Sequence, residues 1–406
     1  MVAPKLRFKE FDGDWSPYVL KDFVSFRKGK GISKADISEN GINECIRYGE
    51  LYTTYGQVID HIHSKTNVSK SECILSKAGD VIIPASGETQ IDIATASCVL
   101  HDDIILSGDL NILSHEENGS WLAYYLSSAK KLEIAQLAQG NSVVHLYSSQ
   151  LKDLKINKPS KEEQTKIASF LSNVDEKISQ LTQKHELLSQ YKQGMMQKLF
   201  SQQLRFKADD GSEFGEWEEK PLNHYLYTSK LKNKDLKFSK QEVLSVSGEL
   251  GVVNQIELLG RSYAGVSVAP YSVVEHADIV YTKSPLKSNP YGIIKVNKGK
   301  AGIVSTLYAV YKCKDNIYPE LIDYYFQSDL KLNHFLKPLV KKGAKNDMKV
   351  NNDHVLTGIV SFPSSLEEQT KIANFLSAID QKIEVVAQQI EQAKTWKKGL
   401  LQQMFV

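Results

Sequence analysis

Apolar residues recur at alternating steps of four and three along two long stretches of the chain, and this spacing predicts two long α-helices. In the first stretch they are Ile167, Leu171, Val174, Ile178, Leu181, Leu188, Met195 and Leu199. In the second they are Ile372, Leu376, Ile379, Ile383, Val386, Ile390, Ala393, Leu400 and Met404. A seam of about five such heptads is typical of helices that pair as a coiled coil.

Each predicted helix begins with the same start signal. Ser160 with Glu163, and Ser365 with Glu368, form S-x-x-E capping boxes that follow a proline. In such a box the serine accepts a backbone N–H and the glutamate reaches back to the N-cap. About 38 residues at ~1.5 Å each would give a helix of roughly 55 Å.

Charged residues interrupt or border the seam. Lys192 and Lys397 occupy equivalent seam positions. A lysine there usually fixes the register of a coiled coil or extends its ammonium to solvent. Asp175-Glu176-Lys177 resembles a nuclease carboxylate-lysine cluster, but its place on the helix predicts a solvated charged face.

A repeat extends over the whole chain. Residues 162–200 return as residues 367–405, an offset of 205, and Leu6-Arg7-Phe8-Lys9 returns as Leu204-Arg205-Phe206-Lys207. A repeat of this length implies two equivalent domains related by approximate twofold symmetry. Because residues 204–207 follow the first helix, we expect residues 6–9 to lie beside the end of the second.

Between the repeated elements, short strand-like runs separated by Gly, Pro, Ser and Asn predict a mixed α/β (α+β) fold. The predicted strands are residues 80–83, 104–106, 154–156, 242–246, 279–281, 293–296 and 358–360, with one helix per half over 121–137 and 320–335. The two similar globular domains are expected to be separated by the two long helices, which run antiparallel. The predicted boundaries are 1–158 for the first domain, 159–201 for the first helix, 202–362 for the second domain and 363–406 for the second helix.

Composition indicates a soluble protein, with 41% hydrophobic and 24% charged residues. No apolar run approaches the roughly 20 residues that span a bilayer, and the N-terminal sequence lacks the apolar core of a signal peptide, so we expect a cytoplasmic protein. The net charge is −3 for residues 1–158 and +4 for residues 202–362. Charge alone therefore does not indicate DNA binding. The four cysteines lack metal-ligand spacing and are expected to be reduced, mostly buried thiols.

The order of variable domain, helix beginning P-S-x-x-E-Q, second variable domain and matching helix resembles the specificity subunit of type I restriction-modification enzymes. The segments that carry the resemblance are PSKEEQTKIASFLSNVDEKI and PSSLEEQTKIANFLSAIDQKI. It implies that each variable domain is a target recognition domain for one half of a bipartite, asymmetric DNA site. It also implies that the coiled coil sets the spacing between the half-sites. The implied partners are double-stranded DNA, two modification subunits that bind S-adenosylmethionine and methylate adenine, and two restriction subunits that use ATP and Mg.

Catalytic motifs are missing from the chain. Ser288-Asn289-Pro290-Tyr291 lacks the second proline of the adenine methyltransferase motif, and Gly29 to Ser33 has the wrong spacing for a phosphate-binding loop. The alternation of His61 and His63 is typical of a strand and does not indicate a metal site. We therefore predict a noncatalytic subunit with no cofactor, metal or membrane contact of its own. The alternative from the residues alone is a coiled-coil adaptor that carries two ligand-binding domains and has no DNA role.

The predicted DNA contacts lie in loops that combine basic, amide, hydroxyl and aromatic side chains. Arginine and lysine recognise guanine, asparagine and glutamine recognise adenine, and hydroxyls contact phosphate. In the first half these residues are Arg27, Lys28, Lys30, Arg47, Tyr48, Tyr52, Thr54, Tyr55, Ser86, Thr89, Gln90, Gln139, Asn141 and Ser142. In the second half they are Lys230, Lys232, Lys234, Arg261, Tyr263, Lys283, Lys287, Asn289, Tyr291, Lys341, Lys342, Lys345, Asn346 and Lys349.

Overall fold

A computed structural model describes residues 3–140, 143–342 and 348–406. The chain divides into two units, each of which contains a mixed α/β domain and parts of both long helices. Unit 1 comprises Met1–Lys184 and Val386–Val406, and unit 2 comprises His185–Val385. The mixed α/β class and the two long helices predicted from the sequence are confirmed.

The domain of unit 1 contains thirteen strands and five short helices among its described residues. The strands are β1 (Ser16–Val19), β2 (Ser25–Lys28), β3 (Asn43–Ile46), β4 (Val58–Ile59), β5 (Ser64–Thr66), β6 (Ile74–Leu75), β7 (Val81–Pro84), β8 (Ser86–Gly87), β9 (Ser97–Val99), β10 (Ile105–Leu106), β11 (Leu110–Ser114), β12 (Val144–His145) and β13 (Lys155–Lys158). The helices are α1 (Glu50–Thr53), α2 (Gln90–Ile93), α3 (Gly119–Ser128), α4 (Lys131–Leu137) and α5 (Ser148–Leu151), and the long helix α6 (Lys161–Phe200) follows. The largest sheet has the order β2-β11-β7-β9-β4, and a second has the order β5-β3-β10-β6.

The domain of unit 2 contains a smaller central sheet. The strands are β14 (Trp217–Pro221), β15 (Leu226–Thr228), β16 (Leu244–Ser247), β17 (Gly251–Asn254), β18 (Ser272–Val274), β19 (Ile279–Thr282), β20 (Ile294–Val296), β21 (Gly302–Val304), β22 (Tyr308–Cys313), β23 (Lys341–Lys342), β24 (Met348–Lys349) and β25 (Ile359–Pro363). The helices are α7 (Gln255–Leu259), α8 (Pro319–Tyr325), α9 (Asp329–Leu336) and α10 (Asn352–Val355), followed by the long helix α11 (Leu366–Met404). Its four-stranded sheet has the order β15-β22-β19-β20.

The apolar seam of each long helix is buried within the units. In unit 1, Ile167 and Leu171 near the start of α6 share a core with Leu400 and Met404 near the end of α11. In unit 2, the core joins Leu199 of α6 with residues 372–379 at the start of α11. Within each unit the two helices therefore meet in opposite directions, as the heptad pattern and the repeat predicted.

The single helix predicted in each half is wrong, because two helices replace it in both units. In unit 1, Ser128 is the last residue of α3 and donates its hydroxyl to the carbonyl oxygen of Tyr124 at 2.5 Å, a bond that competes with the helix backbone. In unit 2, Ser328 caps α9 by accepting the backbone N–H of Lys331 at 3.5 Å. A serine that caps a helix from the inside of an apolar run was not recognised in the sequence.

An arginine-glutamate pair fixes the start of α6 to the beginning of unit 1. Arg7 donates two hydrogen bonds to the carboxylate of Glu163, at 2.8 and 2.7 Å, and Trp15 donates its indole N–H to the same carboxylate at 3.4 Å. The Glu163 side chain is 2% exposed. A carboxylate this deeply buried requires a cation and further donors to offset the loss of its hydration.

Unit 2 repeats this arrangement with equivalent residues. Arg205 donates to both carboxylate oxygens of Glu368, at 3.1 and 2.9 Å, and the Trp217 indole N–H donates at 3.2 Å. The structure therefore explains why an arginine and a tryptophan recur ahead of each domain. We refer to these two triads as the arginine locks.

The arginine locks also correct the predicted capping boxes. Ser160 accepts the backbone N–H of Glu163 at 3.3 Å, as expected, whereas Ser365 accepts that of Glu367 at 3.2 Å. Neither Glu163 nor Glu368 reaches back to the N-cap, because each carboxylate binds its arginine instead. The S-x-x-E pattern thus marked the helix start correctly but assigned the wrong partner to the glutamate.

In unit 2, Lys192 of α6 binds the side chain of Asp380 of α11. The ammonium lies 2.6 Å from the carboxylate and donates to the Gln327 side chain at 3.0 Å. It also lies 5.2 Å from the ring centroid of Tyr324, whose hydroxyl donates to Asp380 at 2.9 Å. Burial, together with the charge of Asp380, raises the pKa of Tyr324, so the phenol stays protonated as a donor.

Unit 1 contains the equivalent cluster, with the helices exchanged. Lys397 of α11 lies 2.5 Å from the carboxylate of Asp175 of α6 and donates to the Gln57 side chain at 3.0 Å. Tyr124 donates its hydroxyl to Asp175 at 2.6 Å, and its ring centroid lies 5.5 Å from the ammonium. The solvated face predicted for Asp175 is therefore wrong. Of the two roles considered for the seam lysines, these pairs favour setting the register.

The beginning and the end of the described chain meet in unit 1. The backbone N–H of Leu6 donates to the carbonyl oxygen of Gln403 at 2.9 Å, and Phe8 packs edge-on against Phe170 of α6 at 5.7 Å between ring centroids. This confirms the expected position of residues 6–9. Among the described residues, no helix is both long and apolar enough to cross a membrane.

Candidate nucleic-acid interface

Two of the predicted contact segments in unit 1 lie side by side. Strand β8 pairs with β12 in antiparallel register, which places Ser86 opposite His145 with 3.3 Å between the hydroxyl and Nδ1. Gln139 pairs with His145 through two backbone hydrogen bonds of 2.9 and 2.7 Å. Gln90 donates its side-chain amide to the Ala138 carbonyl oxygen at 3.4 Å. Ser86 and Gly87 are buried, and Ser86 is 6% exposed. We refer to residues 88–90, Gln139, His145 and Tyr147 as the β8–β12 surface.

The imidazole and the phenol of this surface were missed in the sequence analysis. His145 and Tyr147 stack with 6.3 Å between ring centroids and 21° between ring planes, and Tyr147 is 56% exposed. Polar and aromatic residues alternate with apolar ones over residues 144–147, which was the available signal. His145 is half-buried, so Tyr147 is the member of the pair that is open to contact with bases or sugars.

Residues 47–55 divide into structural and accessible groups. Arg47 forms a salt bridge with the buried Glu50 at 3.0 Å. Burial raises the pKa of Tyr55 to about 12, and its hydroxyl accepts the His63 backbone N–H at 2.9 Å. Tyr48, like Tyr55, is half-buried against the apolar core that contains Ile46 and Leu51. Thr54 is exposed and Tyr52 is half-buried. Burial raises the pKa of Tyr52, and the nearby Tyr48 and Glu88 contribute to the rise.

Arg27 occupies an internal position on β2. Its guanidinium binds the buried carboxylate of Asp80 at 2.5 Å and donates to the Leu75 carbonyl oxygen at 3.1 Å. This geometry favours a structural role for the arginine, since moving it to DNA would leave Asp80 without its cation. Lys28 and Lys30 follow on the same segment and are exposed.

In unit 2, the guanidinium of Arg261 lies over the ring of Tyr263, and both side chains are exposed. The guanidinium carbon lies 4.6 Å from the centroid of the tyrosine ring. The Tyr263 side chain is 57% exposed, and Arg261 is exposed as well. The structure thus brings together two residues that the sequence predicted as neighbouring contacts. A guanidinium over the face of an aromatic ring is attracted by the negative charge of that face.

Several of the lysines predicted as DNA contacts in unit 2 are exposed. Lys230, Lys234 and Lys287 are exposed. Lys232 donates to the Ser272 hydroxyl at 2.9 Å. Burial, with a smaller contribution from the charge of Lys232, lowers the pKa of Lys283. Exposed ammonium groups in this number can neutralise phosphates.

The remaining predicted contacts of unit 2 have mixed placements. Asn289 is 4% exposed and donates its amide to Asp329 at 2.8 Å, which favours a structural role. Tyr291 is half-buried and its carbonyl oxygen accepts the Tyr281 hydroxyl at 2.7 Å. Lys341 is exposed on a hairpin in which Lys341 pairs with Lys349 and Lys342 with Met348. Asn141, Ser142, Lys345 and Asn346 lie outside the described residues.

Comparisons with known proteins agree with this arrangement. The family model of the type I restriction modification DNA specificity domain matches residues 12–190. The type I restriction enzyme MjaVIII specificity subunit of Methanocaldococcus jannaschii is 25% identical over 97% of this chain and 94% of that protein. The putative MjaX specificity subunit of the same organism is 28% identical over 98% of this chain and 94% of that protein. The chain is therefore similar over nearly its whole length to type I restriction-modification specificity subunits.

The fold of a solved specificity subunit is also similar. The S subunit of a type I restriction-modification system from M. genitalium superposes with a TM-score of 0.62 over 100% of this chain and 99% of that chain. At 16% identity, this similarity shows the fold alone. The role of a specificity subunit is DNA sequence specificity, and the family has no catalytic activity of its own.

Residues 3–140, 143–342 and 348–406 contain no group of three or more histidine, cysteine, aspartate or glutamate side chains arranged to hold a metal ion. The four cysteines are free thiols, and burial raises the pKa of both Cys45 and Cys98 to about 11. The features available for binding are therefore the β8–β12 surface in unit 1 and the exposed arginine and lysines in unit 2.

Proposed function

We propose that this chain is a specificity subunit that reads a bipartite, asymmetric DNA site, with one half-site contacted by each unit and the spacing set by the coiled coil. It directs adenine methylation and DNA restriction by partner subunits. Two modification subunits would bind S-adenosylmethionine, and two restriction subunits would use ATP and Mg. The chain itself supplies binding and positioning but no catalytic group.

The observation that carries this proposal is a contrast within each unit. The arginine lock and the lysine-aspartate pair, which we call the frame, are the same in both units, whereas the accessible loops differ. The arginine locks and the lysine-aspartate pairs recur with equivalent residues and nearly equal distances. The accessible loops share no such pattern. Unit 1 presents Tyr147 beside His145 together with Lys28 and Lys30, whereas unit 2 presents Arg261 over Tyr263 together with Lys230, Lys234 and Lys287. Two copies of one frame with different contact chemistry suit a target with two unlike halves.

The net charges of the two domains support different kinds of DNA contact in the two units. Residues 202–362 carry a net charge of +4 and residues 1–158 a net charge of −3. Both arginines of the unit 1 domain that were predicted to bind DNA are paired with internal carboxylates. We infer that unit 2 provides most of the phosphate contacts and that unit 1 reads bases with largely uncharged groups.

Exchanging the variable part of one domain should change one half of the recognised site. We expect that replacing residues 20–154 with the corresponding segment of a related specificity subunit changes one half of the methylated motif and leaves the other half as it was. The replacement retains β1, β13 and the arginine lock, so the frame should still fold. Methylation-sensitive sequencing of DNA from cells that express the chain with its modification partners gives the motif. A change in both halves would contradict independent recognition by the two units.

A single substitution on the β8–β12 surface should affect the same half-site. Tyr147→Ala removes an exposed ring that makes no hydrogen bond through its hydroxyl among the described residues, so the fold should be preserved. We expect binding to a duplex with the cognate site to weaken by about tenfold, which corresponds to roughly one base contact. A gel shift with duplexes altered in each half separately measures the effect. Loss of discrimination in the half read by unit 2 would place Tyr147 on the wrong half-site.

A further inference from the structure

The chain contains only five arginines among its 50 basic Lys and Arg residues, and the structure accounts for four of them. Each of the four forms a salt bridge with an acidic side chain of its own unit that is at most 8% exposed; they are Arg7, Arg27, Arg47 and Arg205. The fifth, Arg261, forms no salt bridge with any residue in the described part of the chain. Arginine in this chain is therefore used to bind buried carboxylates, with one exception.

The exception lies on a loop whose base is held by several hydrogen bonds. Helix α7 ends at Gly260, which adopts the left-handed conformation with φ 76°. The Tyr263 backbone N–H then donates to the Gln255 side chain at 2.6 Å, and the Gly265 backbone N–H donates to the Tyr271 hydroxyl at 3.0 Å. The backbone that carries Arg261 is thus tied to α7 and to the start of β18 rather than free.

The contact with Tyr263 restrains the guanidinium without using its N–H donors. The guanidinium carbon lies over the Tyr263 ring, 4.6 Å from its centroid, and the N–H donors of a guanidinium lie in the plane of the group. Five donors in a fixed fork remain available to an acceptor pair in that plane. A lysine could not be held in this way, because its ammonium is a point charge on a flexible stem.

We propose that Arg261 reads a guanine in the half-site contacted by unit 2, through paired hydrogen bonds to the O6 and N7 acceptors in the major groove. This inference rests on the proposed function, since it requires unit 2 to contact a half-site. Guanine is the base that offers two adjacent acceptors on this edge, and the arginine fork matches them. Tyr263 is the positioning residue, because it acts on the base only through the guanidinium.

In this proposal the exposed lysines of unit 2 contact phosphates rather than bases. Lys230, Lys234 and Lys287 are exposed and are not stacked on an aromatic ring. Their ammonium groups suit phosphate oxygens, which attract charge without demanding a fixed direction. Lys234 therefore offers a matched comparison with Arg261, since both are exposed cations of the same unit and only one is oriented.

The first test maps the methylated motif of the full complex with its modification subunits. We expect Arg261→Ala to relax the motif at one guanine in one half while every other position is retained. Arg261→Lys should relax the same position because the charge alone does not restore the paired hydrogen bonds. Lys234→Ala should weaken binding to all sites equally and lower the salt dependence without changing the motif. A motif that is unchanged in Arg261→Ala would overturn the proposal.

The second test needs no variant and therefore does not depend on how a variant folds. Each guanine of the mapped site is replaced in turn by 7-deazaguanine, which lacks the N7 acceptor, and binding of the wild-type complex is measured by gel shift. One guanine should weaken binding by about 5- to 150-fold when replaced. Replacing the same base by inosine removes only the minor-groove amino group and should have little effect.

Combining the two tests separates the possible failures. In Arg261→Ala, the 7-deazaguanine effect at that position should disappear while the effects at other guanines persist. A wild-type complex with a defined bipartite motif but no guanine whose N7 effect depends on Arg261 would overturn this inference alone. A wild-type complex with no sequence-dependent binding or methylation would instead refute the proposed function itself.

Discussion

Replacing Arg205 by alanine is expected to destabilise unit 2 by about 2–3 kcal/mol. The substitution leaves Glu368, whose side chain is 0% exposed, without the cation that binds both of its oxygens. Breaking a buried ion pair at one partner typically costs about 3–5 kcal/mol. The expected loss lies below that range because the Arg205 side chain retains 20% exposure, so solvent screens part of the interaction.

Native-state hydrogen exchange of α11 amides measures this loss in unit 2 without assuming that the whole chain unfolds in one step. Arg261→Ala is the matched control, since it removes an exposed arginine of the same unit and should leave exchange in α11 unchanged. A double variant, Arg205→Met with Glu368→Leu, should be more stable than Arg205→Ala, because no unpaired charge remains. Equal stability of Arg205→Ala and the wild type would show that the arginine lock does not hold α11.

Replacing Asp380 by lysine is expected to disrupt the contact between the long helices within unit 2. Two ammonium groups would then face each other, one of them on Lys192, whose side chain is only 10% exposed. We expect a loss of about 2–4 kcal/mol, from the lost partner and the added repulsion. Adding Lys192→Asp exchanges the two charges and should restore about half of the loss, since Gln327 and Tyr324 keep their positions but face the opposite charge.

A double-mutant cycle from thermal or urea unfolding gives the coupling energy of this pair. The exposed pair Glu391 and Lys394 on α11 is the control, with side chains 72% and 56% exposed, and Glu391→Ala should cause no measurable change. If the charge exchange failed to recover any stability while Asp380→Lys was destabilising, the electrostatic explanation would be wrong. The loss would then come from packing.

The sequence could predict the long helices because their signal repeats every turn and extends over dozens of residues. It could also locate the strands that became β7, β19 and β20, since these are short runs of buried apolar residues bounded by turn residues. It could not predict the breaks that follow α3 and α8. A serine lies at each break, Ser128 at the end of α3 and Ser328 as the N-cap of α9, and a propensity summed over a window does not detect single hydrogen bonds of this kind.

The candidate site shows a similar division. Residue types led to the prediction of the contact loops, and the structure places the guanidinium of Arg261 over the ring of Tyr263. The internal role of Arg27 was not visible because its partner Asp80 lies 53 positions away. Arg47 and Glu50 are only three positions apart, so that salt bridge was within reach of sequence reasoning. The β8–β12 surface required the pairing of strands far apart in the chain, which local patterns do not specify.

The backbone bond between Leu20 and Leu154 has a consequence for how these domains can change. Leu20 donates to the Leu154 carbonyl oxygen at 3.0 Å, directly beside the paired strands β1 and β13. The 133 residues between them therefore begin and end beside the same pair of strands. Because closing a longer loop costs only about 0.6 kcal/mol of free energy for each doubling of its length, segments of quite different length can connect these two strands. Recognition can thus diverge in length as well as in sequence while the arginine lock and the lysine-aspartate pairs stay as they are.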